Sequence, residues 1–325
     1  MVVVATFKWL REKQGLWDLA NSGVSPLNYK EYIAEPGVDL AEAVSEAYGV
    51  DRRSVVLTSG AQEGNFLALW ALRKKADRVF VFLPEYEPIY VLPDELGYRK
   101  VVARGDPFQL VERGAVLFFS NPNNPTGRYL DAKAVAELAD EARRRGAFLV
   151  VDAIFVDFVD DVRGLPSEGA VFNFSTSKFY TSSVKVGWSF GEDGVVKAMK
   201  DAKDLFNPGP SPLEAQVGYG FLTKRAEVKS RNISLISKNW RALRDALRGV
   251  EVRYREHMPI AFLEVPCGGA ALAERLAERG VATVPGRYFG VDGALRIGLA
   301  RVDPAEFQKP VSILVEEVDK CIDGR

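Results

Sequence analysis

Short apolar runs alternate with helical patterns through the first two thirds of the chain. Apolar residues recur at helical spacing over 63–74 and 132–145. Around these helices, apolar runs typical of buried strands occur at 55–57, 78–83, 115–119, 147–151 and 171–174. Strands that alternate with helices predict an α/β fold, with a mostly parallel sheet covered by helices on both faces. In such sheets, ligands bind beyond the carboxyl ends of the strands.

The last third of the chain has a different pattern. It predicts a long helix at 229–248, a strand at 261–265, a helix at 270–279, a strand at 294–299 and a final helix at 304–322. A segment rich in proline and glycine at 207–212 lies near the transition. We therefore expect a large domain over 33–230 and a smaller α+β domain built from 1–32 and 231–325.

Composition narrows the class of function. The 325 residues are 47% hydrophobic, which is enough for a large core. The 43 basic and 44 acidic residues form no charged block, so we expect a small-molecule substrate and neither nucleic acid nor membrane as a partner. The apolar start is too short for a signal peptide, and no run has the length of a membrane helix.

Histidine and cysteine usage excludes several kinds of site. The single histidine, His257, cannot build a His-rich metal site or a Ser-His-Asp triad, so we expect no metal and place it in a turn or at the surface. Cys267 and Cys321 match no metal or redox spacing. We expect no disulfide and a cytoplasmic location.

Polar clusters follow several predicted strands. In TSGAQE (58–63), Gly60 allows a tight turn, and the following helix start offers N–H groups to an anion. Tyr86 in PEYEPIY could present its face to a ring, and SNPNNPTG (120–127) forms a rigid, amide-rich turn that could hydrogen-bond a ligand. An ordinary helix cap, a packed aromatic and a turn without function are the respective alternatives.

Two ionisable side chains stand at the ends of apolar strands. Asp152 follows 147–151, where a carboxylate is costly to bury without a cation, so it could pair with a protonated ligand nitrogen. Lys178 closes STSK (175–178), where a lysine near other cations can lose its proton and attack a carbonyl. A helix cap and a solvent-exposed lysine are the alternatives.

Taken in order, the segments TSGAQE, PEYEPIY, NPNNPTG, VVDAIF, STSK and GALRIGLA resemble the class I and II aminotransferases, which are pyridoxal-phosphate (PLP) enzymes of fold type I. The resemblance covers residues 18–300. The intervals from Asn124 to Asp152 (152 − 124 = 28) and from Asp152 to Lys178 (178 − 152 = 26) suit that family. It implies a three-layer α/β fold, PLP as the cofactor, and exchange of an amino group between an L-amino acid and a 2-oxo acid.

The resemblance also implies roles in holding the cofactor. Lys178 would bind it as a Schiff base and move the substrate's α-proton. Asp152 would keep the ring nitrogen protonated, and Asn124 would hydrogen-bond the ring's O3′. The remaining cofactor contacts would be Tyr86 against the ring face and, around the phosphate, Gly60, Ala61, Gln62, Ser175 and Lys185.

Four further positions concern the substrate and a second subunit. Tyr32 matches the tyrosine that reaches the phosphate of a partner subunit, which implies a homodimer with shared active sites. Arg296 in LRIGLA matches the arginine that binds the substrate's α-carboxylate, a group that suits a planar two-pronged donor. Asn21 and Gly23 would line the same mouth, together with Asn124.

Three positions depart from the family pattern. Phe155 replaces a tyrosine that donates to O3′, Lys185 replaces an arginine, and Ala153 replaces an acidic residue. Loss of the tyrosine hydroxyl should raise the pKa of the Schiff base or leave Asn124 as the lone donor. DAIFVDF and SKFY are nearest to threonine-phosphate decarboxylase and histidinol-phosphate aminotransferase. The alternatives are therefore a PLP decarboxylase or lyase acting on a phosphorylated amino acid, and a non-catalytic ligand-sensing homologue.

Overall fold

The computed structural model describes residues 4–160, 163–205, 207–247 and 249–322. The strands are, in chain order, β1 (Trp17–Asp18), β2 (Val55–Thr58), β3 (Arg78–Phe82), β4 (Arg99–Ala103), β5 (Ala115–Ser120), β6 (Phe148–Asp152), β7 (Ala170–Ser175), β8 (Gly187–Gly191), β9 (Val252–Arg253), β10 (Ile260–Glu264), β11 (Val281–Ala282), β12 (Val284–Pro285) and β13 (Ala294–Gly298).

The α-helices of the described residues lie between these strands in the sequence and at both ends of the described chain. They are α1 (Ala5–Glu12), α2 (Leu40–Tyr48), α3 (Ala61–Leu72), α4 (Glu87–Glu95), α5 (Ala132–Arg145), α6 (Val156–Val159), α7 (Thr176–Phe179), α8 (Asp193–Lys203), α9 (Pro212–Thr223), α10 (Arg225–Ala246), α11 (Gly269–Glu278) and α12 (Gln308–Ile322). Within the described ranges, none of the helices combines the length and apolar character needed to cross a bilayer.

A seven-stranded sheet forms the centre of the fold, in the order β2-β8-β7-β6-β5-β3-β4. Neighbouring strands from β7 to β4 are parallel, and only β8 runs against its two neighbours. Along β5, Val116 and Phe118 pack beneath α3 and α8, whereas Leu117 and Phe119 pack beneath α2 and α5. Burial on both faces explains why this strand reads as a continuous apolar run. The predicted α/β fold is confirmed.

A second, antiparallel sheet has the order β12-β13-β10-β9, and β1 pairs with β11. Its apolar face packs with α10, α11 and α12 in a separate core cluster. This agrees with an α+β unit near the end of the chain. The domain boundaries at 32 and 230 stay a prediction, and residues 1–3 and 323–325 of the smaller unit lie outside the described residues.

Every predicted strand and helix is present, with bounds that differ by four residues at most. The prediction omitted β4 and β8, which complete the large sheet. Strand β4 is a charged edge strand with one buried residue of its five, and β8 (GWSFG) begins and ends with glycine. Neither has the uninterrupted apolar run by which the other strands were recognised. His257 lies in a turn with φ of 68°, as expected.

Cys267 and Cys321 form a disulfide, so the expectation of no disulfide was wrong. Cys267 lies just before α11 and Cys321 lies in the last turn of α12, two helices that pack against each other. This packing brings their Cα atoms to 5.3 Å, within the range that a disulfide spans. Because the two cysteines are 54 positions apart in the sequence, no argument based on spacing reveals this proximity.

Removing the disulfide should destabilise the protein without affecting its activity. In the double variant Cys267→Ser/Cys321→Ser, the entropy gained by the unfolded chain corresponds to about 4 kcal/mol, or roughly a 6 °C lower Tm. Differential scanning calorimetry with and without reductant checks this. Reductant should shift the wild-type melt by a similar amount and leave the double variant unchanged. Equal Tm values for oxidised wild type and variant would contradict the prediction.

Candidate active site

A cavity of about 270 Å³ lies beyond the carboxyl ends of β5, β6 and β7. The predicted site residues in its wall are Asn21, Gly60, Ala61, Gln62, Tyr86, Asn124, Asp152, Ser175, Lys178 and Lys185. Tyr32, Gly23 and Arg296 are not part of that wall. A larger, more open cleft of about 820 Å³ beside Tyr254 contains none of the predicted residues.

One end of the cavity is suited to an anion. Gly60 has φ of 102° and precedes the first turn of α3, whose N–H groups have no partners within the helix. A Cβ at Gly60 would lie 3.3 Å from Ser175 Oγ, so a side chain there would fill the space between them. A Cβ at Gly187 of β8 would lie 2.5 Å from Gly60 Cα. Together with the ammonium group of Lys185, this turn forms a cradle that fits a phosphate.

Asp152 is the last residue of β6 and is only 4% exposed. Its Oδ2 accepts a hydrogen bond of 2.8 Å from Asn65 Nδ2, and its Oδ1 accepts one of 3.2 Å from Ile154 N. Burial raises the pKa of Asp152, while these hydrogen bonds and the charge of Lys178 oppose the rise. A buried carboxylate of this kind is suited to pairing with a protonated nitrogen of a ligand.

Lys178 lies in the short helix α7, which Ser175 caps through a hydrogen bond from Ser177 N. Burial, together with the charges of Arg296 and Arg301, lowers the pKa of Lys178 to about 8, whereas Asp152 opposes this shift. Part of the population is therefore neutral near neutral pH. A neutral buried amine can act as a nucleophile or accept a proton.

Gly23 lies directly behind Lys178. A Cβ at Gly23 would be 3.1 Å from Lys178 Cα, and Val24 N donates a hydrogen bond of 2.9 Å to Lys178 O. The structure therefore places Gly23 where the chain packs against the backbone of the lysine and not in the wall of the cavity. Asn21, two residues earlier, does line the cavity.

Arg296 lies on β13 and is 2% exposed. Its Nη1 donates a hydrogen bond of 3.1 Å to Asn124 Oδ1, and its Nη2 donates to Ala20 O. Among the described residues, its Nε has no hydrogen-bond partner. Burial lowers the pKa of Arg296 to about 10, so it stays charged at neutral pH. A charged guanidinium beside Asn124, with a donor to spare, is suited to a carboxylate.

The turn that carries Asn124 is held by Glu85, which sequence reasoning missed. Glu85 is fully buried and accepts hydrogen bonds from Ser120 N at 2.8 Å and Tyr86 N at 2.7 Å, and also from the Ser120 hydroxyl. Ser120 Oγ in turn accepts one of 2.9 Å from Asn124 N. Burial raises the pKa of Glu85 to about 8. This carboxyl group fixes Tyr86 and Asn124 relative to each other.

Several cavity residues had not been assigned to the site. They are Phe7, Ser59, Ser120, Ile154, Phe155, Ser177, Ser182 and Arg301. Ser177 belongs to the STSK segment, so its sequence position was a usable signal. Phe7 is 79 residues from Tyr86 (86 − 7 = 79), which it contacts edge-on, with ring centroids 6.4 Å apart. No sequence pattern connects such distant residues.

Tyr32 lies away from the cavity of its own chain. Its ring packs on Phe221, with centroids 4.6 Å apart, and Lys224 Nζ lies 5.2 Å from the ring centroid. Burial raises its pKa. Any contact between Tyr32 and a ligand in this type of cavity would therefore involve a second copy of the chain.

Comparison with known proteins decides which family has this arrangement. The family described as aminotransferase class I and II matches residues 27–314, which is most of the chain. The chain belongs to the class I and II aminotransferase family. The resemblance noted from its motifs is thus confirmed, as is the expectation of an enzyme with an aminotransferase fold.

Individual aminotransferases are similar over most of their length. An aspartate aminotransferase of Thermococcus kodakarensis is 25% identical over 308 residues, which cover 90% of this chain and 82% of that protein. A histidinol-phosphate aminotransferase of Dinoroseobacter shibae is 27% identical over 200 residues, covering 57% and 55%. The solved structure of a PLP-dependent aminotransferase from Streptococcus suis has a TM-score of 0.86 at 22% identity and covers 98% of both chains.

Proposed function

We propose that this protein exchanges an amino group between an L-amino acid and a 2-oxo acid, with PLP as its cofactor. The observation that carries the proposal is the placement of Lys178, Asp152 and an anion cradle around one cavity. A lysine whose pKa is lowered to about 8 suits the aldehyde, a buried carboxylate suits the ring nitrogen, and the cradle at Gly60 suits the phosphate.

The residues divide the work between binding and proton transfer. When bound, PLP supplies a conjugated ring that takes up the electron pair left at the substrate's α-carbon. Lys178 Nζ would take the proton from that carbon and hold it for return to the carbon that carried the aldehyde. Asp152 would keep the ring nitrogen protonated, Tyr86 would cover the ring face, and Asn124 would offer its amide N–H to O3′.

We assign binding of the substrate's α-carboxylate to Arg296, which lies outside the cavity wall but donates a hydrogen bond to Asn124 in that wall. Asn124 and Asn21 would complete the mouth of the site. Because Phe155 has no hydroxyl, Asn124 is the donor to O3′ that the family's tyrosine would otherwise share. Gly23 supports the site by allowing close packing behind Lys178.

The functional unit in this proposal is a homodimer, and a cytoplasmic location stays a prediction that the Cys267–Cys321 disulfide does not support. Tyr32 lies outside its own cavity, next to Phe221, which supports a role at the phosphate site of a second copy. The division into a large domain and a smaller domain that carries Arg296 belongs to the same proposal. Analytical ultracentrifugation of the purified protein tests the dimer.

A half-reaction tests the proposed activity. The purified protein, loaded with PLP and mixed with a panel of L-amino acids but no 2-oxo acid, should yield the aminated form of the cofactor and one equivalent of 2-oxo acid. Chromatography of the cofactor released by denaturation measures this. Release of carbon dioxide with unchanged cofactor would instead support the decarboxylase alternative. Absence of any covalent PLP binding would overturn the proposal altogether.

Replacing Arg296 by lysine should weaken substrate binding far more than cofactor binding. Lysine keeps the charge but loses the two-pronged geometry, so KM for the amino donor should rise about 10- to 100-fold. The Kd for PLP should change little. Steady-state kinetics and PLP titration of the apoprotein check both values, with Arg53→Lys in the exposed pair with Asp51 as a control. Equal losses of both affinities would remove Arg296 from the substrate site.

A further inference from the structure

A row of buried polar side chains stands behind Asp152, on the side away from the cavity. Asn65 of α3, Asn173 of β7 and Ser189 of β8 are all fully buried. Asn65 Nδ2 donates to Asp152 Oδ2 at 2.8 Å, Asn173 Nδ2 donates to Asn65 Oδ1 at 2.9 Å, and Ser189 Oγ donates to Asn173 Oδ1 at 2.6 Å. Each hydrogen bond therefore points towards the carboxylate.

The carboxylate itself sets this direction. An asparagine side chain accepts at one end and donates at the other, whereas an ionised carboxylate can only accept. Reversing both amides would place Asn65 Oδ1 against Asp152 Oδ2, and two acceptors would then meet. Asn173 then turns its NH₂ end towards Asn65, and the Ser189 hydroxyl, which can donate or accept, donates to its carbonyl end. The row is thus matched to an ionised Asp152.

The row occupies positions where an apolar core would be expected. It lies between α3 and the central sheet, where Leu67 and Leu69 of the same helix are buried apolar residues. Three buried polar side chains are tolerated here because each of their nitrogen and oxygen atoms takes part in a hydrogen bond.

Gly64 provides the room for the row. A Cβ at Gly64 would lie 2.5 Å from both Asn173 Oδ1 and Ser189 Oγ, so no other residue fits without displacing them. Glycine in the middle of a helix weakens that helix. A glycine that weakens α3 and a fully satisfied polar row that ends on Asp152 together indicate that the row serves the carboxylate and not the packing of the core.

We propose that Asn65, held in place by Asn173 and Ser189, is a positioning residue that keeps Asp152 ionised and oriented towards the ring nitrogen of PLP. The inference rests on the proposed function and adds residues to it. Burial alone raises the pKa of Asp152, and the hydrogen bond from Asn65 is the largest of the effects that oppose the rise. Without that bond, a buried carboxyl group would tend to keep its own proton and leave the ring nitrogen without one.

The direct test is the protonation state of the cofactor ring in Asn65→Leu. The full-length protein is reconstituted with PLP that carries ¹⁵N at the ring nitrogen. The ¹⁵N NMR chemical shift is then followed from about pH 6 to about pH 9, a range that spans neutral pH. Wild type should show the protonated ring throughout the neutral range. Asn65→Leu should still bind PLP through Lys178 but show the unprotonated ring, with kcat lowered about 10- to 100-fold and KM nearly unchanged.

Two further variants probe the row at a distance from Asp152. Ser189→Ala removes the outermost donor and should shift the ¹⁵N signal partway, with kcat lowered about 3- to 10-fold. Gly64→Ala should displace Asn173 and Ser189 and have a similar effect. Leu69→Ala, in the same helix and equally buried, is the matched control and should lower Tm without moving the ¹⁵N signal. If Asn65→Leu fails to fold, the Ser189 and Gly64 variants decide the matter.

The failure of this inference is distinguishable from failure of the proposed function. If wild type binds PLP covalently and transaminates, but Asn65→Leu and Ser189→Ala keep the wild-type ¹⁵N signal, then only the role of the row is wrong. If wild type itself shows an unprotonated ring, the row does not serve Asp152 in this way. If wild type binds no PLP, both proposals fall.

Discussion

Replacing Lys178 by methionine is expected to abolish turnover, with a loss of at least about 10⁴-fold. Methionine is unbranched like lysine and one atom shorter, but it has neither an amine to attack the aldehyde nor a base for the α-proton. The phosphate cradle at Gly60 remains, so PLP should still bind, though not covalently. Steady-state kinetics gives the loss, and the absorbance band of the lysine-linked cofactor should disappear. Retained turnover would contradict the role assigned to Lys178.

The same variant should be more stable than wild type when both lack PLP. The pKa of Lys178 is lowered from 10.5 to about 8, so at pH 7 the folded apoprotein must hold a charge in a buried site. Between these two values the unfolded chain binds more protons, so wild-type stability rises with pH. Below about pH 8, holding the charged lysine in its buried site lowers the free energy of unfolding of the apo wild type by the full amount. The free energy of unfolding of apo Lys178→Met should therefore be higher by up to about 3 kcal/mol. Urea unfolding at pH 7 and 10 measures this; a gain that does not shrink with pH would contradict it.

Replacing Asp152 by asparagine should lower kcat about 10²- to 10³-fold while PLP still attaches to Lys178. The amide is nearly the same shape but carries no charge, so it cannot keep the ring nitrogen protonated, and the ring becomes a weaker electron acceptor. Half-reaction rates with an amino donor measure the effect.

The charge-retaining variant Asp152→Glu is the matched control for this prediction. It should recover part of the lost rate, because a carboxylate remains even though its position shifts. If the asparagine and glutamate variants lose rate equally, the shape of the side chain and not its charge is what matters at position 152.

Local sequence was sufficient for the elements that are buried on both sides. Strands β5 and β6 are apolar up to their last residues, Ser120 and Asp152, because helices cover both faces of the sheet, and these apolar runs were enough to assign them. The polar residues at or shortly after the strand ends, Asp152 and Asn124, then followed from topology, since parallel strands end at one edge. The family resemblance added the particular roles.

What sequence could not supply depends on contacts between distant segments. Asn65 lies within a helical pattern that predicts only an amphipathic or buried helix, yet its partner Asp152 is 87 residues away. Arg301 follows the strand that carries Arg296, but its charge lowers the pKa of Lys178 only because the fold brings these two residues near each other. The Cys267–Cys321 bond has the same origin. Each is set by tertiary packing, for which a single sequence has no periodic signal.

The close approach of Gly187 to Gly60 has an evolutionary consequence. Position 187 admits no side chain, because a Cβ there would meet Gly60 Cα, Phe174 O and Thr58 Oγ1 at 2.5 to 2.7 Å. A substitution at 187 would therefore press on the turn at Gly60 and on β7 at the same time. In evolving relatives of this sequence, the shape of the anion cradle and the pairing of the central sheet would then be lost or kept together.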